Sequence, residues 1–235
     1  MQISQIYFSD RAGPLSEYLA DCVRQVKQFF PDFTYQMYNL ESGREFLVQN
    51  FDKDVVAAFD KLNPYAYKAD LLRYCLLFQI GGWYFDIPSR PILRVDVPGN
   101  IETIAFGDLR LYTGTNFACQ NSVLFARPRL PVYEKAISLV VENCRQNYYG
   151  INALCPTGPV VLGKAFAIAG ESQNRIFGDY MLLTPLHNIQ NRAFVLPDGS
   201  IFAFGKNAEG GDLASLGAAG TNNYNHFFRS KTVYK

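Results

Sequence analysis

Two adjacent glycines, Gly81 and Gly82, separate a run of helical periodicity from a run of strand-type side chains. Before them, PYAYKADLLRYCLLFQI places Leu72, Cys75, Leu76 and Gln79 at helical spacing, and Leu71, Leu77, Phe78 and Ile80 widen the apolar face. The glycines end that helix, because glycine enters the left-handed region that commonly follows a helix terminus. Beyond them Trp83, Tyr84 and Phe85 are strand formers, Asp86 follows directly, and Pro88 cannot continue a central ladder. A helix that turns sharply into a buried strand predicts an α/β fold. A carboxylate where that strand runs out marks the edge at which open α/β sheets bind ligands.

Asp70 and Arg73 are three residues apart on the predicted helix and share a face, which places them at the rim of its apolar surface. On the strand, Tyr84 and Asp86 point to one side, Trp83 and Phe85 to the other. Asp70, Arg73 and Asp86 can therefore converge on one site. The plain alternative is a structural Asp70–Arg73 ion pair with Asp86 capping a turn.

The pattern A-D-L-L-R-Y followed by G-G-W-Y-F-D resembles the glycosyltransferases that carry a sugar-binding DxD region. Their signature is a helix with (S/A)-D-x-x-R and then G-G-x-Y-x-D-x-D. Ala69, Asp70, Arg73, Gly81, Gly82, Tyr84 and Asp86 stand in register with it. The group includes family 32 capsule and lipopolysaccharide transferases, initiating mannosyltransferases and, distantly, the glucosylating clostridial toxins. The resemblance implies a GT-A-type α/β domain, with a mixed central sheet flanked by helices, that moves a sugar from a UDP- or GDP-sugar donor. It implies that Asp70 and Arg73 hold the transferred sugar and that Asp86 contacts ribose and a Mn2+ or Mg2+ ion. Tyr84 belongs to the same donor site. Tyr7, at the end of the first strand, takes the place of an aromatic that packs on the donor's base; a core tyrosine is the other reading. The second Asp of DxD is Pro88 here, so the metal needs other ligands. Asn222, Asn223 and His226 in the tail are the candidates, and a site that leans on Arg73 and basic tail residues without metal is the alternative. Transfer with retention follows from the resemblance alone. The implied acceptor is a glycan or a lipid-linked sugar of a bacterial surface polysaccharide.

At 235 residues the chain suffices for one α/β domain, with a nucleotide-binding half over about 1–100 and an acceptor side and lid over about 101–235. A composition 49% hydrophobic and 18% charged is that of a globular protein, and a net charge of +1 argues against a nucleic-acid surface. No run reaches the ~20 apolar residues of a membrane span, and MQISQIYFSD is no signal peptide. A cytoplasmic protein is expected, acting at the inner face of the membrane if its acceptor is lipid-linked. Five scattered cysteines without C-x-x-C spacing read as reduced thiols rather than a zinc site.

Elsewhere the pattern predicts a strand over Gln2–Ser9, a helix from Pro14 to Pro31, a strand at 33–37, helices at 41–50, 52–62 and 130–148, strands at 101–106 and 121–126, and a hairpin at Asp198-Gly199. This β-α-β opening suits a nucleotide-binding sheet. In CPTGPVVLGKAFAIAG, Thr157 reads as the N-cap of a helix with Pro159 in its first turn. The same T-G-P occurs in the resembling family, where the helix start would line the pocket. Gly158–Lys164 is no P-loop, since Ala165 replaces the required hydroxyl. The glycine- and alanine-rich run from Gly205 to Gly220 reads as a lid. Two further functions stay open on the same fold: a binding module whose catalysis was lost with Pro88, and a nucleotide-sugar hydrolase.

Overall fold

The computed structural model describes residues 1–10, 13–183, 192–205 and 223–235. The expected lid is outside them apart from Gly205, as is Asn222. Among the described residues nine strands form one mixed sheet: β1 (Gln2–Ile6), β2 (Thr34–Tyr38), β3 (Gly82–Phe85), β4 (Arg90–Pro91), β5 (Thr103–Gly107), β6 (Cys119–Ala126), β7 (Arg175–Leu182), β8 (Arg192–Val195) and β9 (Ile201–Phe204). Their spatial order is β2-β1-β3-β6-β5-β7-β8-β9-β4. The helices are α1 (Glu17–Phe29), α2 (Leu40–Asn50), α3 (Lys53–Lys61), α4 (Tyr65–Gln79), α5 (Arg110–Thr113), α6 (Pro131–Arg145), α7 (Pro159–Ala169) and α8 (Tyr224–Arg229). This is the expected GT-A-type α/β architecture. None of the described helices is long and apolar enough to cross a membrane.

Strand direction decides what meets at one edge. β1, β2 and β3 are parallel, β6 opposes both β3 and β5, β5 and β7 are parallel, and β8 opposes β7 and β9. The carboxyl ends of β1, β3, β5, β7 and β9 therefore share an edge with the amino ends of β6 and β8. Tyr7, Asp86 and Asp108 follow β1, β3 and β5 at that edge, and Arg192 opens β8 there.

Alternation along β3 sorts the core into two faces. Trp83 and Phe85 enter an aromatic cluster with Phe30, Phe125 and Phe202, while Tyr84 joins the opposite cluster with α4. The Trp83 and Phe202 rings lie 4.9 Å apart, so the sheet curls until β9 meets β3. Both junction glycines take positive φ, +71° at Gly81 and +86° at Gly82, as the helix stop requires. Gly82 is also needed for space: a Cβ there would lie 2.0 Å from the Gln2 carbonyl oxygen of β1.

α4 departs from the expected rim placement. Every residue from Asp70 to Leu77 is buried, because α4 packs against the sheet on one side and α3 and α6 on others. Asp70 and Arg73 thus sit inside the protein rather than at its margin.

α7 is held equally closely to the start of β6, since a Cβ on Gly163 would fall 1.8 Å from the Phe117 carbonyl oxygen. Gly163→Ala is expected to lower stability by about 1–3 kcal/mol through overpacking. Urea denaturation checks this, and an unchanged midpoint would mean that the helix is free to shift.

Candidate active site

Arg73 is the hub of the site. Its Nη1 donates to Asp86 Oδ1 at 2.9 Å and to the Asn121 carbonyl at 2.7 Å, and its Nε to the Ala69 carbonyl at 3.2 Å. Its Nη2 lies 3.2 Å from Asp70 Oδ1. The guanidinium also covers the Tyr84 ring, 4.7 Å from its centre, and the Tyr84 hydroxyl donates to Asp86 Oδ1 at 2.7 Å. The sequence expectation that Asp70, Arg73, Tyr84 and Asp86 converge is what the structure shows. The planar guanidinium makes this possible, since its donors form a fixed fork.

Thr157 is not the N-cap of α7. Gly158 holds that position without a side-chain cap. The Thr157 hydroxyl instead donates to Asp70 Oδ2 at 2.6 Å, while Asn121 Nδ2 donates to Asp70 Oδ1 at 2.7 Å. A buried carboxylate is a stronger acceptor than the hydroxyl's alternatives, and charge-assisted bonds are the stronger kind. Tyr74 holds the loop in place by donating to the Thr157 carbonyl at 2.9 Å. Asn121 carried no sequence signal, and Thr157 only the T-G-P of the resembling family, because each bond to Asp70 depends on a contact between segments distant in the chain.

Exposure divides the labour. The side chains of Arg73 and Asp70 are 6% and 11% exposed, against 35% for Asp86. Burial pushes the Asp70 carboxyl up to about 6, with Asp86 adding to the shift and Arg73, Thr157 and Asn121 opposing it. Burial alone would lower the Arg73 pKa, but Asp86, Tyr84 and Asp70 outweigh it and hold the guanidinium charged. A carboxyl raised on folding contributes stability that is complete below its unfolded value of 3.8 and is lost as pH rises through about 6. The stability advantage of the native protein over Asp70→Asn is therefore expected to shrink by roughly 2 kcal/mol between pH 3.8 and pH 6. Denaturation of both proteins across that window checks it. Parallel pH curves would show that Asp70 ionises alike in the folded and unfolded chains.

Tyr7 follows β1, donates its N–H to the Tyr38 carbonyl at 2.9 Å, and packs with Leu19, Val23 and Ile87 beside the Asp86 turn. In the tail, Asn223 caps α8 by accepting from the His226 N–H at 3.2 Å, and His226 is exposed beside Phe227. Among the described tail residues Tyr224 packs on α4, its ring 5.9 Å from that of Tyr67. Burial raises its pKa most, and Asp70, Asp108 and Asp86 add to the rise against Arg192.

The donors around 86–88 do not fit the divalent cation that the resemblance implies. Mn2+ and Mg2+ need several oxygen ligands at once. Asp86 Oδ1 is engaged by Arg73 and Tyr84, which leaves Oδ2 as the one free side-chain oxygen at 86–88, since Ile87 and Pro88 have no side-chain donor. The Asn223 side-chain oxygen is used in its helix cap. Among the described residues no three His, Cys, Asp or Glu side chains group to hold a metal.

Two further charged groups reach this edge without a sequence signal. Asp108 accepts from the Leu109 N–H at 2.7 Å and from Gln120 Nε2 at 3.4 Å, and burial pushes its carboxyl up to about 6 against the Leu109 bond and Arg192. Arg192 lies over the Tyr112 ring, 4.8 Å from its centre.

Comparison with known proteins bears on the same segment. The family described as "Glycosyltransferase sugar-binding region containing DXD motif" matches residues 16–96, which include α4, β3 and Asp86. No curated protein sequence matches the chain. Among solved structures, the chain is similar to "PaToxG Glycosyltransferase", at 20% identity and a TM-score of 0.51, over 70% of this chain and 66% of that one. It thus spans just under two thirds of that chain's length. A second structure, a glycosyltransferase involved in glycosylation of the major capsid of PBCV-1, aligns at 9% identity and a TM-score of 0.41 over 76% of this chain and 82% of that one. Residues 16–96 are thus similar to the sugar-binding region of DXD-containing glycosyltransferases, and the α/β fold around them is similar to that of a solved glycosyltransferase.

Proposed function

We propose that the chain transfers a hexose from a UDP- or GDP-sugar to a hydroxyl of a glycan or lipid-linked sugar. The observation that carries this reading is the buried Asp70–Arg73 pair locked onto Asp86 at the carboxyl edge of the sheet, within the matched segment. Arg73 and Tyr84 fix Asp86 through Oδ1, leaving Oδ2 to accept hydroxyl donors of the sugar or ribose. In the transfer, the bond between sugar C1 and the phosphate oxygen breaks, and its electron pair leaves with the nucleoside diphosphate. The acceptor hydroxyl oxygen forms the new bond to C1, and its proton passes to the departing diphosphate. Holding donor and acceptor in register makes this step effectively intramolecular. Retention of configuration is supported by the family resemblance, and the anomeric proton coupling of the product tests it. The resemblance likewise supports a cytoplasmic site of action on surface polysaccharide, at the membrane face when the acceptor is lipid-linked.

Thermal unfolding against UDP- and GDP-sugars, each with and without Mn2+, tests the reading. A donor at 100 times its Kd is expected to add about 2.7 kcal/mol. No shift with any donor overturns the proposal. A second reading, a nucleotide-sugar binding module, is favoured by Pro88 in the DxD position. Binding without release of nucleoside diphosphate, across glycan and lipid-linked acceptors, would select it. Release of free sugar without any acceptor would identify a hydrolase.

A further inference from the structure

Departure of a nucleoside diphosphate builds negative charge that a cation in the site must offset. The donors at 86–88 do not fit a metal, and Arg73 is already committed to Asp86, Asp70 and two backbone carbonyls. Arg192, at this edge, is an arginine whose position meets the need. It opens β8 opposite Leu182 of β7, and its carbonyl accepts from the Gly205 N–H at 2.8 Å, which pins its backbone between β7 and β9 at the site edge. The side chain is half-buried, with its guanidinium over Tyr112. Its Nε is buried without a hydrogen-bond partner, and it forms no ion pair among the described residues. Contacts tie this edge together: Gln120 Nε2 donates to Asp108 at 3.4 Å, the Asp86 N–H donates to the Ser122 carbonyl at 2.7 Å, and Tyr112 beneath Arg192 follows Asp108 on the same segment.

We propose that Arg192 binds the diphosphate of the nucleotide-sugar donor, in the role a divalent cation bound through residues 86–88 would have, so that the donor binds without metal. This rests on the transferase reading above. A guanidinium suits the task because it stays charged and its planar fork matches two phosphate oxygens. Stacking on Tyr112 holds the fork in place before the donor arrives and limits the entropy lost on binding. Asp108 supplies counter-charge to Arg192 when the site is empty.

Calorimetric titration of the full chain with UDP, GDP, uridine and guanosine, in EDTA and then in Mn2+, tests this. In EDTA one diphosphate is expected to bind at least about tenfold more tightly than its nucleoside, the increment of a charge-assisted phosphate contact. Arg192→Ala should abolish that increment and leave nucleoside affinity unchanged. Arg192→Lys should keep part of it, since the charge remains and the fork is lost. Arg192→Gln gives the same reading as alanine if the smaller side chain impairs folding. Diphosphate binding that requires Mn2+, or an increment that survives both neutral substitutions, overturns the role of Arg192 while the transferase reading stands. If neither nucleotide binds in either condition, the transferase reading fails and the inference fails with it.

Discussion

Arg73→Met is expected to cost about 3–5 kcal/mol of stability and to abolish transfer, because it removes one partner of a buried charge network. Methionine approximates the arginine stem in shape and carries no donor. Asp70 would keep its bonds from Thr157 and Asn121 but lose the charge that balances it. Asp86 would keep only Tyr84, and the Asn121 carbonyl would lose a buried donor. Urea denaturation measures the loss, and nucleoside diphosphate release measures turnover. Arg73→Lys separates charge from geometry, since a single ammonium cannot reproduce a fork that serves Asp86, Asp70 and the Asn121 carbonyl together. A variant with native stability and turnover would show that the network is dispensable.

Asp86→Asn is expected to lower kcat/KM by about 10²- to 10³-fold, the loss typical when one preorganised polar contact to the reacting groups is altered. Stability should move little, because the Asp86 side chain is 35% exposed and asparagine keeps an oxygen for Arg73 and Tyr84. The combination distinguishes this position from Arg73, where stability and activity should fall together. Steady-state kinetics with the donor that stabilises the native chain read the first quantity, and thermal unfolding the second. Native kcat/KM in Asp86→Asn would remove Asp86 from the reacting site.

The helix, the glycine stop and the strand carrying Tyr84 and Asp86 were legible because each depends on neighbours within one turn or one pleat. Helical periodicity marks α4, positive φ selects Gly81 and Gly82, and period-two alternation separates Tyr84 from Trp83. The convergence of Asp70, Arg73 and Asp86 was legible for a related reason, since one short turn joins the helix to the strand and leaves few ways to arrange them. How deep they lie was not legible. Local pattern placed Asp70 and Arg73 on a helix rim, whereas packing by α3, α6 and the sheet buried them. Thr157 shows the same limit, because its local context favours a helix cap and a carboxylate 87 positions away takes its hydroxyl instead.

The sequence by itself determined the α/β class, the α4–β3 junction and the Asp-Arg-Asp core of the site, all set by side-chain period and backbone permission over short distances. Only the tertiary structure decided that Asn121 and Thr157 brace Asp70, that Asp86 alone of the three remains substantially open, and that Asp108 and Arg192 reach the same edge. The physical reason is strand direction. Successive strands of a mixed sheet bring their ends to one edge according to which neighbours they pair with, and that pairing is fixed by burying the whole core at once.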